Sequence, residues 1–302
     1  EIRIYLGAHR TSDAPFDIVA RGPVITFEDD EPAAPVAAYR EAGATWWLDT
    51  FRPDVPLDRV RAHVARGPRD QNSLFRGASR KEVIMNRTSE REITISTSAG
   101  NIHGTLAIPG GAAGIVVFAH GSGSSRHSPR NREVAAALQE AGFATFLFDL
   151  LTAQEDAIDQ RTREYRFNIP MLGNRLVTVT DWLHEHPETT DLAIGYFGAS
   201  TGAAASLIAA AKRHDTKAVV SRGGRPDLAG EALGQVTAPT LLIVGGNDEP
   251  VIGMNESAKA HLTGVSELVI VPGATHLFEE PGTMEQVIEH ATRWFRTHLA
   301  QG

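Results

Sequence analysis

The sequence predicts an α/β protein with a mostly parallel sheet that is covered by helices on both faces. From about Arg91 onward, short apolar runs alternate six times with stretches of helical periodicity, which is the pattern of repeated strand–helix units. Several of these runs, such as Ile115–Ala119 and Ala144–Phe148, are nearly continuous in apolar residues. Strands buried on both faces of a parallel sheet have this composition.

A smaller α/β extension is expected over residues 1–70, followed by a linker over residues 71–90. Apolar stretches at 2–6, 17–24 and 45–48 are separated by helix-like stretches at 35–42 and 57–66, and each helix-like stretch is followed by a glycine. The linker is polar and rich in Arg, Ser and Asn.

In the larger domain, residues 91–302, the pattern predicts each element in turn. Residues 92–97 and 102–108 alternate as an antiparallel pair around Ala99 and Gly100. Parallel strands are expected at 115–119, 144–148, 193–197, 218–220, 240–244 and 267–271, and helices at 131–141, 169–186, 202–211, 254–262 and 284–299. The stretches 149–168 and 221–239 are too short for a large helical lid, so an open site is expected.

The composition excludes several classes of protein. The 302 residues carry a net charge of −8, so a nucleic-acid binder or an anionic-membrane binder is not expected. No apolar run approaches the roughly 20 residues of a membrane helix, and no signal peptide is visible at the first residue. The absence of cysteine excludes disulfides, zinc–thiolate sites and a cysteine nucleophile, and it fits a cytoplasmic protein.

The strongest motif is Gly-Ala-Ser-Thr-Gly at Gly198–Gly202, which is G-x-S-x-G between a predicted strand and a predicted helix. In this context the serine, Ser200, projects from a tight turn as a candidate nucleophile. The alternative is a Gly/Ser-rich turn without chemistry.

A serine hydroxyl needs a base to take its proton, and a third group must orient that base. His276 follows the last predicted strand and is the candidate base. Asp248 follows the strand 240–244 and is the candidate orienting acid, with its neighbour Glu249 as the rival. The alternatives are a surface histidine and a turn aspartate. The order Ser200, Asp248, His276 is that of α/β-hydrolases.

An oxyanion hole is expected from the loop His-Gly-Ser-Gly-Ser-Ser after the strand Ile115–Ala119. The backbone N–H groups of Ser122 and Thr201 are its candidate donors, and His120 is expected to be structural. The alternative, a phosphate cradle, lacks both G-x-x-x-x-G-K-[ST] and G-x-G-x-x-G.

These motifs resemble the α/β-hydrolase superfamily, and the compact dienelactone-hydrolase-like branch is the most similar. The resemblance covers residues 90–302 and includes FAHGSGSSRHSPRN, FGASTGAAA, VSRGGRPDL, APTLLIVGGND and VPGATHLFEEPG. It implies a serine hydrolase with Ser200, Asp248 and His276 as its triad. The dienelactone hydrolases proper use a cysteine nucleophile, which this chain lacks, and this departure favours broader ester chemistry.

Residues 1–70 resemble something else, namely the C-terminal tail of luciferase-like, flavin-dependent monooxygenases. The similarity lies in FDIVARGPV, AYREAGATWWLDTF and RAHVARGP. A fragment cannot close an eight-stranded barrel, so no flavin chemistry is implied. The apolar surfaces of Trp46 and Trp47 favour a homodimer.

Arginines near the predicted site are candidate ligands for a substrate carboxylate. They are Arg126, Arg222 and Arg225, together with Arg130, and the alternative is pairing with acids such as Asp227, Glu279 and Glu280. The expected function is hydrolysis of a small-molecule carboxylic ester through an acyl-enzyme, without a metal or organic cofactor. The alternatives are acyl transfer to an alcohol or peroxide by the same triad, and a non-catalytic binding protein on the same fold.

Overall fold

The structure is a computed structural model, which describes residues 19–25, 46–51 and 88–299. The chain divides into two compact units, Glu1–Ala78 and Ser79–Gly302. In the first unit, strands β1 (Val19–Ile25) and β2 (Trp46–Phe51) pair in parallel, with Val19 opposite Trp46. The predicted stretch at 2–6, the helices at 35–42 and 57–66 and most of the linker lie outside the described residues. The resemblance of residues 1–70 to a monooxygenase tail stays a prediction.

The second unit is built on an eight-stranded, mostly parallel sheet. Its strands are β3 (Ser89–Thr97), β4 (Gly100–Ile108), β5 (Ile115–Ala119), β6 (Ala144–Phe148), β7 (Ile194–Ala199), β8 (Ala218–Arg222), β9 (Thr240–Gly245) and β10 (Ser266–Val271). Their spatial order is β10-β9-β8-β7-β5-β6-β4-β3. β4 runs antiparallel to both of its neighbours, and the remaining pairs are parallel. The predicted antiparallel pair and the buried strands are therefore present.

Six α-helices and one 3₁₀ segment cover the sheet. They are α1 (Pro129–Glu140), α2 (Ala153–Thr162), α3 (Ile169–Glu185), α4 (Thr201–Lys212), the 3₁₀ segment Pro226–Gln235, α5 (Glu249–Lys259) and α6 (Thr283–His298). None of these helices, within the ranges just given, has the length and apolarity that crossing a bilayer requires.

Two sequence predictions differ from the observed helices. α5 begins at Glu249, five residues before the predicted start, because Pro250 occupies its first turn and fits a helix start without loss of a hydrogen bond. α2 was not predicted. Its sequence is polar apart from Ala153, Ala157 and Ile158, so it has no apolar periodicity to detect, and it begins with a capping box between Thr152 and Glu155.

The core lies on both faces of this sheet, since successive strand residues point to opposite sides. On one face, Val117 and Tyr196 pack with buried residues of α3 and α4. On the other face, Phe118 and Phe197 pack with α1 and α6, and the centroids of these two rings are 5.0 Å apart. Because parallel strands end at one edge of the sheet, the loops after β5, β7, β8, β9 and β10 meet there.

Candidate active site

Ser200 occupies a strained turn between β7 and α4. Its φ of 50° and ψ of −120° lie in a region that non-glycine residues rarely adopt. The neighbouring glycines make the turn feasible. A Cβ on Gly202 would lie 2.2 Å from the Ala119 carbonyl oxygen, and one on Gly198 would lie 2.5 Å from the Ala203 Cα. The motif therefore has its glycines where the strand and the helix pass closest.

Backbone hydrogen bonds hold this turn against the loop that follows β8. The Ser200 N–H donates to the Arg222 carbonyl oxygen at 3.2 Å, and the Ser200 carbonyl accepts from the Arg225 N–H at 3.1 Å. Within the described part of the chain, the Ser200 hydroxyl forms no hydrogen bond. It stands at the N-terminus of α4, whose partial positive charge favours a developing anion.

Asp248 and His276 are brought together by the loops after β9 and β10. The Nδ1 of His276 and the Oδ2 of Asp248 are 2.7 Å apart. Since a carboxylate only accepts, the Nδ1 carries the proton and the Nε2 is left to act as a base. The side chain of Asp248 is 14% exposed and that of His276 is 38% exposed. Glu249, the rival acid, is the first residue of α5 and has no such contact with His276.

Further contacts fix these two loops to each other. Asn247 donates to the Ala274 carbonyl from its backbone N–H and to the Gly273 carbonyl from its Nδ2, both at 2.9 Å. Glu280 accepts from the Thr275 hydroxyl at 2.6 Å and from its N–H at 3.1 Å, and these hydrogen bonds hold the pKa of Glu280 below its ordinary value. Sequence reasoning missed both positioning residues, because isolated loop polar residues carry no pattern.

The third link, between Ser200 and His276, is not formed as a hydrogen bond in this structure. The two residues flank the same β8 loop. Gly223 follows Arg222, whose carbonyl accepts the Ser200 N–H. Its φ is 50°, and a Cβ placed on it would lie 3.6 Å from the Cε1 of His276. Catalytic hydrogen bonds are often loose without substrate. The structure thus brings Ser200, Asp248 and His276 to one edge of the sheet.

The loop predicted to supply an oxyanion hole lies against Ser200. A Cβ on Gly121 would be 3.1 Å from the Cβ of Ser200. The Ser122 N–H donates to the Oγ1 of Thr201 at 2.8 Å. The Ser122 N–H, one of the two predicted donors, is therefore hydrogen-bonded to the side chain of Thr201, whose own N–H is the other predicted donor.

A cavity of about 700 Å³ adjoins this loop. Its lining includes Ser122, Thr201 and residues along α2. Most of the residues that line it have polar side chains, but more of its exposed surface is apolar than polar, and Leu150, Leu151 and Leu172 contribute to the apolar part. Cavities of this size hold small molecules.

The four arginines considered as substrate ligands differ in their surroundings. Arg126 pairs with Asp149, Arg225 with Asp227 at 2.7 Å, and Arg130 with Glu279 at 2.8 Å. These three have counter-ions from the chain itself. Arg222 is buried and has no such partner among the described residues. Burial lowers the pKa of Arg222 to about 10, with a smaller contribution from Arg130.

Metal ligation finds no support in the described ranges. No three His, Asp or Glu side chains of residues 19–25, 46–51 and 88–299 are grouped closely enough to hold an ion. The two best-placed acids, Asp248 and Asp149, are hydrogen-bonded to His276 and Arg126.

The sheet order, with one antiparallel strand near an edge and a strained serine turn after β7, defines the α/β-hydrolase fold. The chain belongs to the dienelactone hydrolase family, whose family model matches residues 102–299.

Solved structures agree with this assignment. A dienelactone hydrolase from Anabaena variabilis ATCC 29413 is 57% identical with a TM-score of 0.69, and the match covers 71% of this chain and 100% of that one. A lidless α/β serine hydrolase from Xanthomonas campestris is 20% identical with a TM-score of 0.56, over 70% of this chain and 96% of that one. The latter shows the fold alone.

Curated relatives carry a different name. Two Mycobacterium tuberculosis proteins provisionally named phosphoribosyl transferases are 56% identical over 211 residues, which is 70% of this chain. The match covers 47% of their length, so the chain spans about half of these relatives.

Proposed function

We propose that this hydrolase cleaves carboxylic esters of small molecules, with Ser200 as its nucleophile. The observation that carries the proposal is the 2.7 Å contact between Asp248 and His276, on the loops next to the strained Ser200 turn. An imidazole held by a carboxylate at Nδ1 presents Nε2 as a base, and a serine at a helix N-terminus is what such a base activates.

The reaction proceeds in two acyl-transfer steps. As the Ser200 Oγ bonds to the ester carbonyl carbon, its proton passes to the Nε2 of His276. The carbon–oxygen bond to the alcohol then breaks, and His276 gives the proton to the leaving alkoxide. Water attacks the acyl-enzyme by the same route and releases the acid. Asp248 stabilises the charge on the imidazolium, and the backbone N–H and hydroxyl of Thr201 stabilise the oxyanion. The Ser122 N–H, which is the other predicted donor, donates to that hydroxyl and supports it from behind.

The short segments that flank the site favour small substrates over long apolar chains. The cavity adjoins Ser122 and Thr201. The stretches 149–168 and 221–239 contain no helix except α2 and a 3₁₀ segment, which supports an open entrance. We therefore expect faster turnover of acetyl and butyryl esters than of octanoyl esters.

The test compares the wild type with Ser200→Ala on p-nitrophenyl acetate, butyrate and octanoate. The control is Ser96→Ala, an exposed serine on β3. We expect Ser200→Ala to lower kcat by more than about 1,000-fold and to abolish labelling by a fluorophosphonate, whereas Ser96→Ala retains both. Turnover or labelling that survives Ser200→Ala would refute the assignment of the nucleophile.

A further inference from the structure

Arg222 is a buried cation without a counter-ion from the described chain. It ends β8, and its side chain points to the face covered by α1 and α6, because it lies two residues after Val220, which packs there. The residue is 7% exposed. Its Nε and Nη1 are closed off from solvent and have no hydrogen-bond partner within the described ranges.

Arg175 provides a direct comparison, since its side chain is also 7% exposed. Both terminal nitrogens of Arg175 bind Glu155, at 3.0 and 2.8 Å. A buried charge is strongly unfavourable unless it is paired and hydrogen-bonded. Arg175 meets that condition and Arg222 does not, so the surroundings of Arg222 are incomplete without a further anion.

Two charged residues of α1 act on Arg222. Arg130 disfavours its charge, and Glu133 favours it by a smaller amount. Arg130 pairs with Glu279 through Nη1 at 2.8 Å, while its Nε is buried and has no partner among the described residues. Arg130 and Glu133 lie in the first two turns of α1. The first turn of this helix holds no acidic residue, and its N-terminus carries partial positive charge.

This group of cations lies beside the nucleophile. The Arg222 carbonyl accepts the Ser200 N–H at 3.2 Å, and the next residue, Gly223, approaches His276. An anion held at Arg222 is therefore within the reach of a small substrate bound at Ser200.

We propose that Arg222, together with Arg130 and the start of α1, forms a subsite for a small oxyanion, a carboxylate or a phosphate group of the substrate. The guanidinium offers two parallel N–H donors that match either group. The claim that the anion is part of a substrate rests on the proposed ester hydrolysis. The claim that Arg222 binds an anion does not.

The first experiment measures thermal unfolding of the full chain in sodium phosphate and in sodium acetate, against sodium chloride at equal ionic strength. We expect the Tm of the wild type to rise by about 2 °C or more in phosphate or acetate. The anion with the larger effect identifies the group that the subsite accepts.

Two variants separate this subsite from general salt effects. Arg222→Met removes the unpaired charge and keeps apolar bulk, so we expect a higher Tm than the wild type in chloride and no further rise with phosphate or acetate. Arg175→Met is the matched control. It breaks a satisfied pair, so we expect a lower Tm in chloride with the anion-dependent rise retained. If Arg222→Met still responds to both anions, or if the wild type responds to neither, the proposal is overturned.

A second experiment tests the link to catalysis with two esters of equal chain length. The 4-nitrophenyl monoester of glutaric acid carries a free carboxylate, and 4-nitrophenyl pentanoate does not. We expect the wild type to favour the anionic ester by about tenfold or more in kcat/KM, mainly through KM, and Arg222→Met to lose that preference.

The two experiments distinguish the two proposals. Turnover of both esters at equal kcat/KM by the wild type overturns the subsite and leaves ester hydrolysis standing. An anion-dependent Tm that Arg222→Met abolishes, without turnover of either ester, supports the anion site and removes the proposed hydrolysis.

Discussion

Thr201 has two roles in the candidate oxyanion hole. Its N–H is a predicted donor at the start of α4, and its hydroxyl oxygen accepts the Ser122 N–H at 2.8 Å. The residue is buried and lines the cavity, and its hydroxyl donates to no acceptor within the ranges that the structure describes. A hydroxyl that accepts from an N–H has its own proton free for an oxyanion, and this proton is polarised by the bond behind it.

We expect Thr201→Val to lower kcat by on the order of 100-fold, which is typical for the loss of one oxyanion donor. Valine has nearly the same shape, but it places a methyl group against the Ser122 N–H and removes the hydroxyl proton. The measurement is kcat and KM on p-nitrophenyl acetate, and KM should change little because the oxyanion forms only in the transition state.

Thr201→Ser retains the hydroxyl and should retain kcat close to the wild-type value. Thr178→Val is the control for the exchange itself, since Thr178 is an exposed threonine on α3. A Thr201→Val enzyme with unchanged kcat and an unchanged Tm would contradict a role for the hydroxyl.

At the scale of secondary-structure elements, His120 joins the loops that follow β5 and β6. Its Nε2 accepts the Leu150 N–H at 3.0 Å, so the proton must lie on Nδ1, which donates to the Gly121 carbonyl at 2.9 Å. Burial lowers the pKa of His120, although the Gly121 carbonyl and nearby aspartates oppose the shift. If Nε2 were protonated, its N–H would face the Leu150 N–H, and the hydrogen bond between the two loops would break.

This link predicts a specific loss of stability in acid. Above about pH 7 His120 is neutral in the folded and the unfolded chain, and its contribution is complete. Below the ordinary value near 6.5, the unfolded chain binds a proton that the folded chain does not. The free energy of unfolding should therefore fall, by up to about 1.4 kcal/mol per pH unit from this residue.

Urea unfolding at pH 7.5, 6.5 and 5.5 measures this slope. We expect His120→Gln, which retains an acceptor for the Leu150 N–H, to be less sensitive to pH over this range than the wild type. His261→Gln, at an exposed position on the surface, should follow the wild-type slope. Equal slopes for all three proteins would show that His120 takes up its proton without unfolding.

The elements that sequence reasoning predicted are those with strong local patterns. The buried strands, Ser200, and the loop positions of Asp248 and His276 follow from continuous apolar runs, a fixed motif and the meeting of parallel strand ends at one edge. α2 was missed because polar residues form most of its surface and its stability depends on capping. The engagement of the Ser122 N–H by Thr201 is a contact across 79 residues, and no local pattern encodes it.

At the scale of the whole molecule, the larger unit contains two hydrophobic core clusters, one on each face of its sheet. Among the described residues, these clusters extend from Ile95 to Leu299. The Anabaena variabilis dienelactone hydrolase is matched over 100% of its own chain, and a chain of that extent therefore folds. From the extent of this matched chain, we expect the unit Ser79–Gly302 to fold without the first unit.

A chain that begins at Ser79 should therefore unfold cooperatively, with a Tm within about 2–4 °C of the corresponding transition of the full chain. A change of about 1 kcal/mol in the free energy of unfolding shifts the Tm of a unit of this size by that amount. Its kcat/KM on p-nitrophenyl acetate should also be unchanged, because Ser200, Asp248, His276 and the cavity lie in this unit. Calorimetry of both chains tests the first expectation and initial rates test the second. A truncated chain that folds with the same Tm but loses turnover would place part of the active site in residues 1–78, whereas a large fall in Tm would mean that the first unit stabilises the second.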